Sequence, residues 1–169
     1  MKHLAIAAAL AMAPLVTHAQ DIVYDFSHTE GCIAASTGFI EKFYCIGVSA
    51  EACMGDTEGG YSTAGSRNCF EAEMKDWDRR LNSAYGALKL QFEAQETLDS
   101  ETDDYGRSRA VALQDMQRAW IAYRDARCDF IASRWTGGTA GGPIRMSCLA
   151  HRTGRQALLL ESEIDTIRD

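Results

Sequence analysis

The stretch FEAEMKDWDRRLNSAYGALKLQF, residues 70–92, decides the fold. Within it Phe70, Met74, Trp77, Leu81, Ala84, Leu88 and Phe92 recur at steps of three and four residues. Side chains at that spacing fall on one stripe of a helix with 3.6 residues per turn. Ser66 stands ahead of the stripe as an N-cap candidate, because its hydroxyl can accept an amide hydrogen that a helix start leaves unpaired. The pattern predicts a helix running to about Leu98. Glu71, Glu73, Asp76 and Asp78 are interleaved with the stripe and read as solvated, salt-bridged carboxylates.

Toward the C-terminus, DSETDD (residues 99–104) reads as a turn and an acidic start for the next helix, where carboxylates complement the positive helix end. Leu113, Met116, Trp120, Tyr123, Ile131 and Trp135 then follow at near-helical steps, with Trp120 and Tyr123 expected to point inward. TGGTAGG (136–142) and Pro143 end that helix. A last helix is expected from about Ile144 to Ile167, with Met146, Leu149, Leu159, Leu160 and Ile164. Toward the N-terminus, GDTEGGYSTAGS (55–66) reads as a loop, 32–54 as a short helical segment and 20–31 as an extended arm. No strand pattern is present. The expected class is all-α: a small disulfide-stabilised helical bundle, two long antiparallel helices plus shorter flanking helices.

The first residues have the layout of a secretory signal peptide: Lys2 and His3, an apolar run from Leu4 to Val16, then Thr17-His18-Ala19 as a small-x-small cleavage site. The apolar run is too short for an ordinary membrane span. Cleavage after Ala19 leaves Gln20 at the new N-terminus, with no cysteine there to carry a lipid, so no membrane anchor is expected. The chain thus divides into a signal peptide (1–19), an N-terminal arm leading into the short helical segment (20–44) and a helical domain (45–169). The expected location is the periplasm or outside the cell.

The chain carries 17 Lys and Arg against 24 Asp and Glu, and loss of Lys2 with the signal takes the net charge from −7 to −8. That balance argues against nucleic acid and anionic membrane as partners and favours a basic one. All six cysteines lie after the signal, and an even number in an exported chain reads as three disulfides. Cys128 and Cys148 flank the second Gly-rich turn and rank first, closing a loop worth roughly 3 kcal/mol in chain entropy. Cys53 and Cys69 flank the other Gly-rich loop and form the second candidate pair. Cys32 and Cys45 then pair by default, with Cys45–Cys69 as the rival.

Catalytic machinery is thin. The chain after the signal has two histidines, His28 and His151, no GxSxG elbow and no CxxC pair, and bridged cysteines are not nucleophiles. No enzyme activity, cofactor or metal is expected. Two dense strings remain, WDRRLNSAY (77–85) and QRAWIAYRDARC (117–128). Trp77, Asp78 and Asn82 from the first, with Trp120, Arg124 and Asp125 from the second, are placed to meet between two long helices. There an arginine with carboxylate and amide partners would fix helix register.

At these residues the sequence resembles the lysozyme inhibitor LprI-like N-terminal domain family. The matching elements are Cys53…Cys69, WDRRLNSAY, QRAWIAYRDARC, Gly137-Gly138, Cys148, and the closing Thr153, Arg155, Leu158 and Leu159, spanning about residues 45–160. Cys32 and Cys45 are additional, and the lipid-attachment cysteine of a mycobacterial member is missing. The resemblance implies a helical domain and an inhibitor that works by protein–protein binding, with a basic c-type lysozyme as partner. Inhibition requires a loop that enters the sugar cleft. The candidates are 55–66, with Asp56, Glu58 and Tyr61 as possible partner contacts, and 136–142. The alternative is an envelope module that binds another envelope protein or a wall fragment through tyrosines such as Tyr44, Tyr61 and Tyr105 without affecting lysozyme.

Overall fold

A computed structural model describes residues 21–99 and 108–168. The signal peptide expected over residues 1–19, most of the acidic turn expected at 99–104, and Tyr105 lie outside them. The chain forms α1 (Ser27–Ala35), a 3-10 turn (Glu41–Cys45), α2 (Val48–Asp56), α3 (Thr63–Asp99), α4 (Arg109–Ser133) and α5 (Gly141–Arg168). Among the described residues there is no strand, so the protein is all-α. Three disulfides, Cys32–Cys45, Cys53–Cys69 and Cys128–Cys148, close short loops; Cys45 bonds Cys32 and not Cys69.

The long helices run up, down and up. Ser108, at the start of α4, bonds Glu96 near the end of α3, so these two are antiparallel. Cys128–Cys148, Arg124–Thr153 and Gln117–Gln156 step in opposite directions along α4 and α5, so these are antiparallel too. It follows that α3 and α5 are parallel, with Trp77 against Gly154 and Arg80 paired to Glu161. α5 is the main partner of α3, and α4 packs across both.

The stripe on α3 is the core. Trp77, Leu81, Ala84 and Leu88 are buried against Leu113 of α4, Ala157, Leu158 and Leu160 of α5, and Ile46. Trp77 is fully enclosed: Phe26 meets its ring edge-on at 5.4 Å between centroids, and its indole leaves no room for a side chain at Gly154. A second cluster joins Ala50, Cys53, Met54 and Cys69, with Ile22, Tyr24 and Phe70 around it.

Several boundaries differ from those expected. Ser27–Ala35 are helical where an extended arm was expected to residue 31; Asp25 accepts the Ser27 N–H at 2.9 Å and starts that turn. The loop read at 55–66 shrinks to 57–62 because α2 extends through Gly55 and α3 starts at Thr63. Ser62 accepts the Gly65 N–H at 3.0 Å and supplies the cap, whereas Ser66 lies inside the helix and donates to the Gly60 carbonyl. Gly60 and Gly65 are required there. A Cβ on Gly60 would sit 2.4 Å from the Met54 carbonyl oxygen, and one on Gly65 would sit 2.5 Å from that of Gly59. On α4 the buried positions are Ala110, Leu113, Gln117 and Cys128, a narrow stripe that Tyr123 misses. Tyr123 is therefore 57% exposed rather than inward, and Leu159 on α5 likewise faces out.

Two measurements follow. Gly154→Ala places a methyl 2.9 Å from Trp77 Cε2 and 3.0 Å from Ile46 Cγ2. Overpacking of about 1–3 kcal/mol outweighs the propensity gain of roughly 0.5–1 kcal/mol, so the urea midpoint should fall. Gly86, in α3, would meet nothing within 4 Å among the described residues on gaining a Cβ, and Gly86→Ala should raise the midpoint instead.

The second concerns the start of α4. The Ser108 hydroxyl and then the Ala110 amide, both donating to Glu96, hold its carboxyl below the ordinary value of 4.5. A lowered folded-state value contributes stability that is present above pH 4.5 and lost as pH falls through the lowered value. Glu96→Gln should flatten part of the acid limb of a melting-temperature profile; a wild-type limb would mean that this cap does not titrate with folding.

Candidate functional site

The N-terminal helices form a layer whose mounting begins with a helix start that cannot cap itself. Gly47 precedes α2 in the left-handed conformation, φ 104°, and has no side chain to accept the free amides. Glu73 of α3 supplies the acceptor. Its carboxylate takes the Gly47 N–H at 2.6 Å, the Ala50 N–H at 2.7 Å, the Trp77 indole N–H at 3.0 Å and the Thr29 hydroxyl at 3.4 Å. Glu73 is 0% exposed, and burial of a carboxylate is tolerable only with donors of this kind. The positive end of α2 adds to the attraction.

Around this hub, Thr29 and Ser49 each accept the other's backbone N–H, at 3.1 and 3.0 Å. Cys32–Cys45 ties α1 to the 3-10 turn, and Cys53–Cys69 ties α2 to α3. The Val23 N–H donates to Thr57 Oγ1 at 2.9 Å, and the Tyr24 hydroxyl donates to Asp76 at 2.8 Å. Burial first, and then the Glu73 charge, push the Tyr24 phenol far above its usual range, so it remains a donor. Sequence spacing held a signal for Glu73: it lies three residues after Phe70 and four before Trp77, on the core stripe itself.

The layer is strongly acidic. Residues 21–66 carry seven carboxylates, Asp21, Asp25, Glu30, Glu41, Glu51, Asp56 and Glu58, against the single cation Lys42. Asp56, Glu58 and Tyr61 are all exposed, and Tyr61, at 75%, rests its hydroxyl 3.7 Å from a Cβ position on Gly55. The two Gly-rich loops lie side by side at one end of the bundle: Thr63 and Thr139 hydroxyls meet at 3.2 Å, and Gly142 abuts Arg67. Exposed Trp135 stands on the second loop. Disulfides clamp the bases of both loops.

The polar network expected between α3 and α4 is two separate pairs. Asn82 donates to Asp78 at 3.1 Å one turn away on the exposed side of α3. Arg124 lies over Trp120, 5.1 Å from the ring centroid, bonds Asp125 at 2.9 Å and reaches Thr153 of α5 at 3.4 Å. Insertion of α5 beside α4 gives Arg124 a partner there, and Trp77 turns its N–H to Glu73 instead. All six cysteines are bridged, and among the described residues no group of His, Cys, Asp and Glu is arranged to hold a metal. Among those residues, too, no helix is long and apolar enough to cross a membrane.

The described residues thus form a disulfide-clamped, all-α domain with an acidic N-terminal layer. The chain belongs to the lysozyme inhibitor LprI family, whose model, "Lysozyme inhibitor LprI", matches residues 53–160. It is 27% identical over 137 residues to an uncharacterised 17.7 kDa protein of the puhA 5′ region of Rhodobacter capsulatus, covering 80% of this chain and 84% of that one. It is 29% identical over 101 residues to an uncharacterised protein of Rhizobium meliloti (strain 1021), covering 58% and 70% respectively. No solved structure matches the chain. Residues 21–52, which hold α1 and most of the layer's acids, precede the family match.

Glu73→Ala strips the acceptor from two amides and an indole in a sealed site, and should cost more than about 3 kcal/mol in chemical denaturation. Glu73→Gln keeps the volume but turns an NH₂ toward these donors, and should fall between. A Glu73→Ala variant within about 1 kcal/mol of wild type would refute the hub.

Proposed function

We propose that this protein is an exported inhibitor that binds a basic c-type lysozyme through its acidic α1–α2 layer, with the 57–62 loop directed at the partner. Three things support export: the signal-like residues 1–19, the three disulfides and the family. The observation that carries the binding face is the seven-to-one excess of acids in residues 21–66. Lysozymes of this type are basic, and complementary charge accelerates encounter and fixes orientation.

Within the face, Asp56, Glu58 and Tyr61 are the proposed contacts. Tyr61 offers a large ring with a hydroxyl at its tip, the kind of side chain that anchors interfaces. Asp56 and Glu58 offer acceptors to cationic or hydrogen-bonding groups around the sugar cleft. Glu73 and two disulfides hold the layer in place, which lowers the ordering cost of binding. The inhibitor needs no catalytic group of its own, only a fit that blocks substrate.

The test is a titration of the oxidised protein into a c-type lysozyme at low and physiological salt. Saturable inhibition should persist at physiological salt. The Asp56→Lys/Glu58→Lys pair should weaken it by about tenfold or more, roughly 1.4 kcal/mol. Unchanged inhibition in the pair would remove this loop from the face. No inhibition at large molar excess would leave a binding module of the envelope that does not act on lysozyme.

A further inference from the structure

The acids and bases of this chain are segregated. Residues 21–99 hold 14 Asp and Glu against 6 Lys and Arg, a balance of −8, while residues 108–168 hold 9 Arg against 6 acids, a balance of +3. The cationic surplus collects on the outer side of α4. Tyr123, Arg127, Phe130 and Arg134 recur there at steps of four, three and four, on one helix face.

Phe130, 53% exposed, has the Arg127 guanidinium 5.8 Å and the Arg134 guanidinium 5.0 Å from its ring centre. Arg152 of α5 lies over Tyr123 at 6.0 Å. The neighbouring arginines are neutralised, Arg124 by Asp125 and Arg145 by Asp129. Among the described residues, no carboxylate pairs with Arg127, Arg134 or Arg152. Among the described residues the buried Arg127 Nε also has no acceptor. An exposed cation–ring contact is worth about 0.5–1 kcal/mol and does not call for two cations on one ring. Two guanidiniums beside the same ring repel each other, and an anion brought to them relieves that repulsion while supplying acceptors.

We propose that this strip binds an acidic glycopolymer, a peptidoglycan strand whose sugars carry carboxylate-bearing peptide stems. Guanidinium forks match carboxylates in bidentate geometry, and half-exposed rings offer flat apolar faces to sugars. From Tyr123 to Arg134 the strip covers eleven steps, about 16 Å of helix. Rings and cations alternate along it, which fits an extended polymer better than a single ion. An acidic peptide would satisfy the arginines but leave the rings without sugar faces to cover. The strip goes beyond the lysozyme reading: it lies on α4, which shares no extensive contact with α1 or α2.

The experiment is co-sedimentation of the oxidised protein with purified peptidoglycan sacculi at physiological salt, with neutral chitin as the control solid and polyglutamate as a soluble competitor. Protein should sediment with sacculi and stay in solution with chitin. Arg127→Gln/Arg134→Gln should lower affinity by about tenfold or more, and Arg134→Lys by less, because charge remains while the fork is lost. Phe130→Ala should weaken binding without changing the salt dependence. Phe130 and Arg134 are exposed and Arg127 is half-buried, so near-UV circular dichroism is used to check that the variants are folded. Absence of sedimentation, equal retention on chitin, or retention indifferent to the arginine pair would each overturn the proposal. Displacement by polyglutamate as effectively as by solubilised wall fragments would replace the glycan with acidic peptide. Lysozyme inhibition, scored in parallel on a soluble oligosaccharide, stands or falls separately, and Asp56→Lys/Glu58→Lys should leave sacculus binding intact.

Discussion

One buried carboxylate organises this domain. Glu73 sits inside with four donors from three elements: Thr29 on α1, Gly47 and Ala50 at the start of α2, and Trp77 one turn along its own helix. Placing an acid there carries a large desolvation cost, and only a full set of well-aimed donors offsets it. The geometry of every donor is therefore constrained. Gly47 must turn left-handed, Trp77 must point its N–H back along α3, and its indole then leaves room only for a glycine at position 154. A bundle held by apolar packing alone could slide by a fraction of a turn. This one is pinned at the junction of its small and large helices.

Much of the fold was legible because it rests on periodicity. The stripe from Phe70 to Phe92 is the core of α3, and the Gly-rich segments do mark the two turns next to it. What was not legible follows from contacts between distant residues. A glutamate on the core stripe is read as solvated unless the donors that meet it, 23 to 44 positions away, are known. Tyr123 keeps a helical step with Trp120, yet α4 is buried along a stripe too narrow to include it. Asp78 and Asn82 have the spacing for a link to Arg124, but spacing along one helix says nothing of which neighbour it faces, and α5 took that place. At the candidate site, exposure of Asp56, Glu58 and Tyr61 was legible from the polar, Gly-rich context. Their proximity to the second loop was not, because that depends on α3 and α5 being parallel.

Average composition conceals the charge arrangement. A net charge of −7 describes a uniformly acidic protein, whereas the helices assemble an acidic layer and an arginine-rich helix face. The separation arises because the chain is divided in sequence: the acidic stretch, with Lys42 as its one cation, enters α1, α2 and their connections, and nine arginines enter α4, α5 and their connections. Charges so distributed give the molecule a direction, which matters for how it approaches a partner more than for how stably it folds.

The three disulfides join first to second, third to fourth and fifth to sixth cysteine. A chain threaded from its N-terminus into an oxidising compartment would therefore deliver each thiol and then, within 13 to 20 residues, its correct mate before any competitor arrives. Nested or crossed pairings would require the oxidant to wait for distant thiols or an isomerase to undo premature bonds. Of the 15 pairings that six cysteines allow, this is the one that order of emergence alone selects, so maturation of the domain needs an oxidant and little correction.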